Sequence, residues 1–357
     1  MDILDRPAAA KERAMKTNPG RFFEDYRLGE TIHHAVPRTI SGGERAFYQA
    51  LYPARHAVYS SDEFAHSLGL SSAPVEDLMA FHIVFGKTVP DISLNAVANL
   101  GYAEGRWIQP VHVGDTLRAD STVIGLKENS NGKSGVVYVR TRGLNQRDEV
   151  VLEYVRWVMV RKRDPEAPAP GAAVPQLAPV VVPEAFAIPR RLNFTRYDFT
   201  LAGEPYRWGD YDIGEKIDHV DGVTVEEAEH MLATRLWQNT SKVHFDAGTR
   251  EDGRRLIYGG HVISMARALS FNGLANAQMI VALNAGTHAN PCFAGDTIRA
   301  WSEVLDKAET EAPGVGALRL RLVAVKQGAA PFALKGGDGR YLPEVLLDLD
   351  YWALVPL

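Results

Sequence analysis

Four stretches alternate apolar and polar residues with the two-residue period of a strand that buries one face: VVYVRTRG (136–143), VVLEYVRWVMV (150–160), ALRLRLVAV (317–325) and VLLDLDYWALV (345–355). Their hairpin-length gaps predict a largely antiparallel sheet. Helical patterning occupies the intervals. VEEAEHMLATRLW (225–237) follows Thr224, which with Glu227 has the spacing of a capping box, and Ser41 with Glu44 repeats that spacing before RAFYQALY (45–52). HVISMARALSFNGLANA (261–277) is small and apolar around most of its circumference, which predicts a longer, buried helix.

The pattern occurs twice. DYRLGETI at 25–32 matches DYDIGEKI at 210–217, an offset of 185 residues, and GDTLRA at 114–119 matches GDTIRA at 295–300, an offset of 181. Two ordered matches with so little drift indicate duplication of a whole domain; solenoid periods are far shorter, roughly 20–50 residues. Between the copies, residues 161–189 hold seven prolines, which favour an extended, semi-rigid crossing. The expected organisation is an N-terminal tail (1–19), a first domain (20–162), a proline-rich linker (163–200) and a second domain (201–357), consistent with roughly 100–200 residues per domain.

Composition narrows the function classes. Hydrophobic residues make up 46% of the 357, enough for two cores. The net charge of -5 gives no basic footprint for nucleic acid. Cys292 is the one cysteine, so no disulfide can close within the chain. The first 16 residues, MDILDRPAAAKERAMK, carry charges where a signal peptide needs an apolar core. No apolar run approaches the ~20 residues of a membrane span, so a cytoplasmic location away from membranes is expected.

Two segments carry candidate chemistry. In RLWQNTSKVHFD (235–246), His244 lies five positions after Asn239 and two before Asp246. Read alone, this is first an ordinary helix end. In YGGH (258–261), Gly259 and Gly260 precede the long helix, where amide N–H groups point outward at the positive end of the dipole. A tight turn explains the glycine pair equally well.

Each half resembles a hot-dog domain of the MaoC-type (R)-specific enoyl-CoA hydratase family, and the tandem pair is similar to its mesaconyl-CoA hydratase branch. The resemblance is carried by residues 81–106, 150–165, 214–231 and 258–277, among them YGGHVISMARALSFNGLANA. It implies an α+β double hot-dog, each half an antiparallel sheet wrapped around a long central helix. It also implies a hydro-lyase that reversibly hydrates mesaconyl-CoA (2-methylfumaryl-CoA) to β-methylmalyl-CoA in glyoxylate assimilation. The substrate would be a CoA thioester, with no metal and no other cofactor. A homo-oligomer is expected.

The family motif places an Asp five residues before the His and another Asp two after it. Here the first position is Asn239, so the resemblance implies that His244 is the acid/base and Asn239 positions water through its amide oxygen. Gly260, helped by Gly259 and beside His261, would donate an N–H to the thioester oxygen. Shifting by 185 puts Ala54 and Tyr59 at the dyad positions of the first half, and the stretch aligned with 258–261, at an offset of 183, is Val75-Glu76-Asp77-Leu78, so the first copy lacks both elements. His56 would need a register shift to substitute. Arg235, Lys242 and Arg267 are candidates for a substrate carboxylate, and His288 for the acyl pocket. Two alternatives stay open besides a hydratase of other acyl chains: a hot-dog thioesterase, kept alive by Asp246, and a non-catalytic acyl-CoA-binding protein.

Overall fold

The computed structural model describes residues 16–357, so the expected tail falls outside the described residues up to position 15. Within them, ten strands form one sheet in the order β1-β3-β4-β5-β2-β7-β10-β9-β8-β6. The first five are β1 (Thr31–Thr39), β2 (Ala96–Trp107), β3 (Thr116–Glu128), β4 (Ser134–Leu144) and β5 (Val150–Arg161). The second five are β6 (Lys216–Thr224), β7 (Ile280–His288), β8 (Thr297–Glu309), β9 (Val315–Lys326) and β10 (Val345–Pro356). Every neighbouring pair is antiparallel. The two sets are arranged symmetrically about the β2–β7 seam, where Tyr102 faces Gly286 and Arg106 faces Ala282. That seam makes the two half-sheets continuous.

Alternation decides which face of each strand turns inward. Along β5, Leu152, Tyr154, Arg156, Val158 and Val160 are buried, while Glu153 turns outward to the guanidinium groups of Arg106 and Arg140 at 3.2 and 3.5 Å. An arginine on the apolar parity is out of place there.

Four helices matter for the site: α1 (Gly42–Leu51), α2 (Asp77–Thr88), α3 (Glu227–Leu236) and α4 (Gly259–Leu269). The offset of 185 carries β1 onto β6 and α1 onto α3, and 182 carries α2 onto α4. Every residue of α2 is buried, as is α4 from Gly260 to Leu269. Each half is thus a sheet wrapped around a central helix, the expected α+β double hot-dog.

Local chemistry sets the helix ends, in two cases differently from expectation. The Ser41–Glu44 box forms: Glu44 N–H donates to Ser41 Oγ at 3.2 Å and Ser41 N–H to Glu44 Oε2 at 2.7 Å. Thr224 does not cap α3. It ends β6, its hydroxyl pairs with that of Thr297 at 2.8 Å, and the cap position falls on Glu226. The helix expected over 261–277 stops at Leu269, and only a short turn, Phe271–Leu274, follows. Asn272 leaves helical geometry and Gly273 takes a left-handed φ of 97°. The carboxylate of Glu204 accepts the freed N–H groups of Gly273 and Ala275.

The proline-rich segment lies along the sheet. Ala173 bridges to Leu126 on β3, Ala178 N–H donates to Glu104 on β2, and Val181 N–H donates to Asn284 on β7. One main core joins the halves, with Phe81 and Tyr154 from the first and Ile263 and Leu320 from the second. Where the halves meet beside Trp237, a Cβ on Gly86 of α2 would sit 1.8 Å from the Trp237 carbonyl oxygen, two residues before Asn239. Gly86→Ala should therefore cost about 1–3 kcal/mol of stability by overpacking. A urea midpoint equal to that of the unmodified protein would show that the helices have room to part.

Candidate active site

After α3 the chain makes a short turn, Lys242–Phe245, and returns through Leu256 to the start of α4. His244 Nδ1 lies 2.7 Å from the Leu256 carbonyl oxygen. A carbonyl only accepts, so Nδ1 carries the proton and Nε2 presents a lone pair. Nε2 has no protein partner among the described residues. The ring packs against Tyr258 at 5.5 Å between centroids and against His230 at 6.3 Å. Burial pushes its pKa down to about 4, against a weaker opposing effect of the Leu256 bond, so the imidazole is neutral at pH 7.

His244 lines a cavity of about 320 Å³ between the two halves. Asn239, Gly259 and His288 line the same cavity. Asn239 Oδ1 accepts the Ser241 N–H at 3.0 Å, which orients the amide. One lone pair of the amide oxygen is therefore taken by the backbone, and the Nδ2 hydrogens meet no acceptor among the described residues. Gly259 opens α4, and its N–H and that of Gly260 meet no acceptor among the described residues. The His288 ring lies so close to Gly259 that a Cβ there would come within 2.3 Å of it. Burial lowers the His288 pKa to about 4.

Several expected site residues lie elsewhere. Gly260 is buried and is not among the residues on the cavity wall, and its missing Cβ makes room for the rings of Tyr258 and His82. Gly259 is the glycine on the cavity wall. His261 is buried on the far side of the helix start, with Nδ1 bonded to the Tyr52 hydroxyl at 2.8 Å. Arg267 is buried and spends its guanidinium on Ser270 Oγ and the carbonyls of Ala277 and Gln278, closing the end of α4. Arg235 and Lys242 face solvent. Asp246 is exposed and caps a turn, accepting the Gly248 N–H at 2.9 Å. No Asp or Glu lines the cavity among the described residues.

The first-half counterpart of the site is filled. The turn Ala57–Ser60 stands 185 residues before Lys242–Phe245, so Tyr59 occupies the His244 position. The helix starts align at 182, which pairs Glu76 with Tyr258 and Asp77 with Gly259, one residue off the expected alignment. Tyr59 O–H donates to Asp77, which also accepts the Ile280 N–H at 2.7 Å. Burial raises the pKa of Asp77 to about 7 and that of Glu76 to about 8.

Residues missed in the sequence come mainly from the first half. Tyr102 and Arg156 are cross-strand partners on β2 and β5, and both line the cavity. Tyr102 O–H meets His288 Nε2 at 3.2 Å. Asn99 adds a further amide to the wall. His230 accepts the Tyr258 N–H at 2.9 Å and so holds the residue before Gly259. The inward parity of Arg156 was a visible signal; that the seam would bring it to His244 was not.

The model of a protein family described as mesaconyl-CoA hydratase matches residues 4–337. A mesaconyl-CoA hydratase of Cereibacter sphaeroides is 80% identical over 342 residues, 96% of this chain and 100% of that protein. A beta-methylmalyl-CoA dehydratase of Chloroflexus aurantiacus is 58% identical, covering 96% of this chain and 98% of the relative. The crystal structure of a MaoC domain protein from Chloroflexus aurantiacus superposes with a TM-score of 0.94 at 58% identity, covering 96% and 99% of the two chains. A double-hotdog protein from Mycobacterium tuberculosis shares the fold, with a TM-score of 0.76, 23% identity, and coverage of 94% and 98%. Among the described residues, no helix is long and apolar enough to cross a membrane.

Five histidines around the start of α4 (His82, His230, His244, His261 and His288) are held neutral by burial, with pKa values of about 3 to 4. Unfolded, each titrates near about 6.5 and so binds a proton earlier as pH falls. His219 and His56 are lowered by burial as well, whereas Asp77 and Glu76 are raised and act with the opposite sign up to pH ~7 and ~8; the histidines outnumber the two acids, so the unfolded chain binds the more protons between pH ~4 and ~6.5. Stability should be greatest near pH ~6.5, drop towards pH ~4 by about 1.4 kcal/mol per pH unit per excess proton, and fall again towards pH ~8 as the buried Asp77 and Glu76 are forced to ionise. Urea unfolding at a series of pH values checks this; a flat profile between pH ~7 and ~5 would contradict the neutral cluster.

Proposed function

The chain belongs to the mesaconyl-CoA hydratase family, and on that premise we propose that it interconverts mesaconyl-CoA and β-methylmalyl-CoA in the cavity between its halves. The supporting observation is that the His244 lone pair and the Gly259 N–H share one cavity. In the hydration direction, water attacks C3 of the unsaturated thioester. His244 Nε2 takes a proton from it, and the double-bond electrons move to the thioester oxygen. That oxygen becomes an enolate facing the Gly259 amide at the positive end of α4. Returning the proton from Nε2 to C2 completes the addition of H and OH and leaves His244 neutral. The Leu256 carbonyl supports the imidazolium between the two transfers. Asn239 Nδ2–H holds the water oxygen, and in the reverse direction the departing hydroxyl.

Proton transfer and carbonyl polarisation are within reach of these groups, so the proposed chemistry calls on no redox group or metal. Hydrolysis of the thioester fits the site less well. A carboxylate base is missing from the cavity wall among the described residues, and Asp246 is occupied in its turn at the surface. The expected substrate behaviour is a reversible change in conjugated-thioester absorbance with mesaconyl-CoA and no free thiol. Release of CoA in its place would indicate a thioesterase.

His244→Ala should lower kcat for mesaconyl-CoA by about 10²–10⁴-fold with the unfolding midpoint retained. A rate close to normal would remove His244 from the reaction. Because the neutral imidazole is the base, activity per folded molecule should persist as pH falls and decline only near about 4. An acid limb centred near about 6.5 would show that burial does not act on this ring.

A further inference from the structure

Arg156 is fully buried, with 0% of its surface exposed, on the inward face of β5. It lines the cavity, and among the described residues it makes no ion pair with any carboxylate. Nη2 donates to Thr88 Oγ1 at 2.7 Å and reaches Ser93 Oγ at 3.5 Å, while Nε and Nη1 have no partner. The guanidinium lies 4.2 Å above the Phe85 ring. Asn99, on the same wall, leaves both its amide nitrogen and its amide oxygen unpartnered.

A guanidinium stays charged inside a protein, and leaving one buried without a counter-charge costs about 3–5 kcal/mol. The fold retains that cost at a cavity wall, beside a second set of unused hydrogen-bonding atoms. An arriving anion would supply the missing acceptors. We propose that Arg156, with Asn99 and Ser93, forms a carboxylate subsite that binds the free acid end of a dicarboxylic acyl-CoA, so that the half lacking the base selects the substrate class.

The assignment rests on the hydratase reading of the cavity. It also fits the placement of neighbouring groups. Tyr102 pairs with Arg156 across the strands and bonds His288, whose ring covers Gly259. The subsite and the oxyanion amide are therefore linked through consecutive contacts along one wall. In an unsaturated C4 diacid the carboxylate and the thioester lie at opposite ends of the double bond. Binding both ends would leave C2 and C3 between them, in the cavity that His244 lines.

The test compares kcat/KM for mesaconyl-CoA with that for crotonyl-CoA, which has a methyl group in place of the carboxylate and a hydrogen in place of the 2-methyl group, the ratio in the unmodified protein being the reference. Inhibition by succinyl-CoA is measured beside inhibition by butyryl-CoA. In Arg156→Met the mesaconyl-to-crotonyl ratio should fall by about 100-fold, as expected for loss of a buried charged hydrogen bond. The preference for succinyl-CoA over butyryl-CoA should fall with it. Arg156→Lys should recover part of both, and Asn99→Ala should lower both ratios if Arg156→Met does not fold. An unchanged ratio in these variants, or an equal loss on both substrates, would overturn the subsite. If the unmodified protein fails to hydrate mesaconyl-CoA but holds succinyl-CoA over butyryl-CoA through Arg156, the subsite stands and the substrate reading falls. If it shows no preference for succinyl-CoA, the subsite falls.

Discussion

The site depends on a two-way exchange between the His244 turn and one extended residue. Leu256 N–H donates to the Val243 carbonyl at 2.9 Å, and the Leu256 carbonyl accepts from His244 Nδ1 at 2.7 Å. The same strand of chain continues through Ile257, held by the Cys292 carbonyl, and Tyr258, held by His230, to Gly259. Four consecutive residues thus select the imidazole tautomer and place the first free amide of α4. The proposed base and oxyanion donor are set by one backbone segment, which accounts for their common cavity better than chance proximity of two separate loops.

Duplication divided the work between the halves. In the first half the counterpart of the base is Tyr59, which donates to Asp77, the counterpart of Gly259. A bulky ring and a buried acid, hydrogen-bonded to each other, occupy that place. The first half contributes walls instead. Its Phe85, Tyr102, Asn99 and Arg156 close the cavity from across the β2–β7 seam. Continuity of the sheet therefore matters to the proposed chemistry as well as to stability, because neither half alone encloses the space.

Much of the scaffold was legible in the sequence because its causes are local or periodic. Alternation placed the strands, and two ordered matches exposed the duplication. Ser41 caps α1 because nothing competes for its hydroxyl, whereas Thr224 is drawn into a cross-strand pair with Thr297. The end of α4 was misplaced because small apolar residues do not reveal that Gly273 turns left-handed under Glu204. At the site, His244 and Gly259 were readable from short-range order. His261 and Arg267 were not, since closeness to a helix start says which turn a residue occupies but not which face. Arg156 lies 88 residues before His244 and 103 before Gly259, and only its inward parity in VVLEYVRWVMV marked it.

The most direct test of the shared cavity is a crystal structure with a saturated, unreactive analogue, methylsuccinyl-CoA. The thioester oxygen should lie within hydrogen-bonding distance of the Gly259 amide, with C2 and C3 facing His244 Nε2. An acyl group bound outside this cavity, or one with its thioester turned away from the start of α4, would contradict the convergence of base and amide on one substrate.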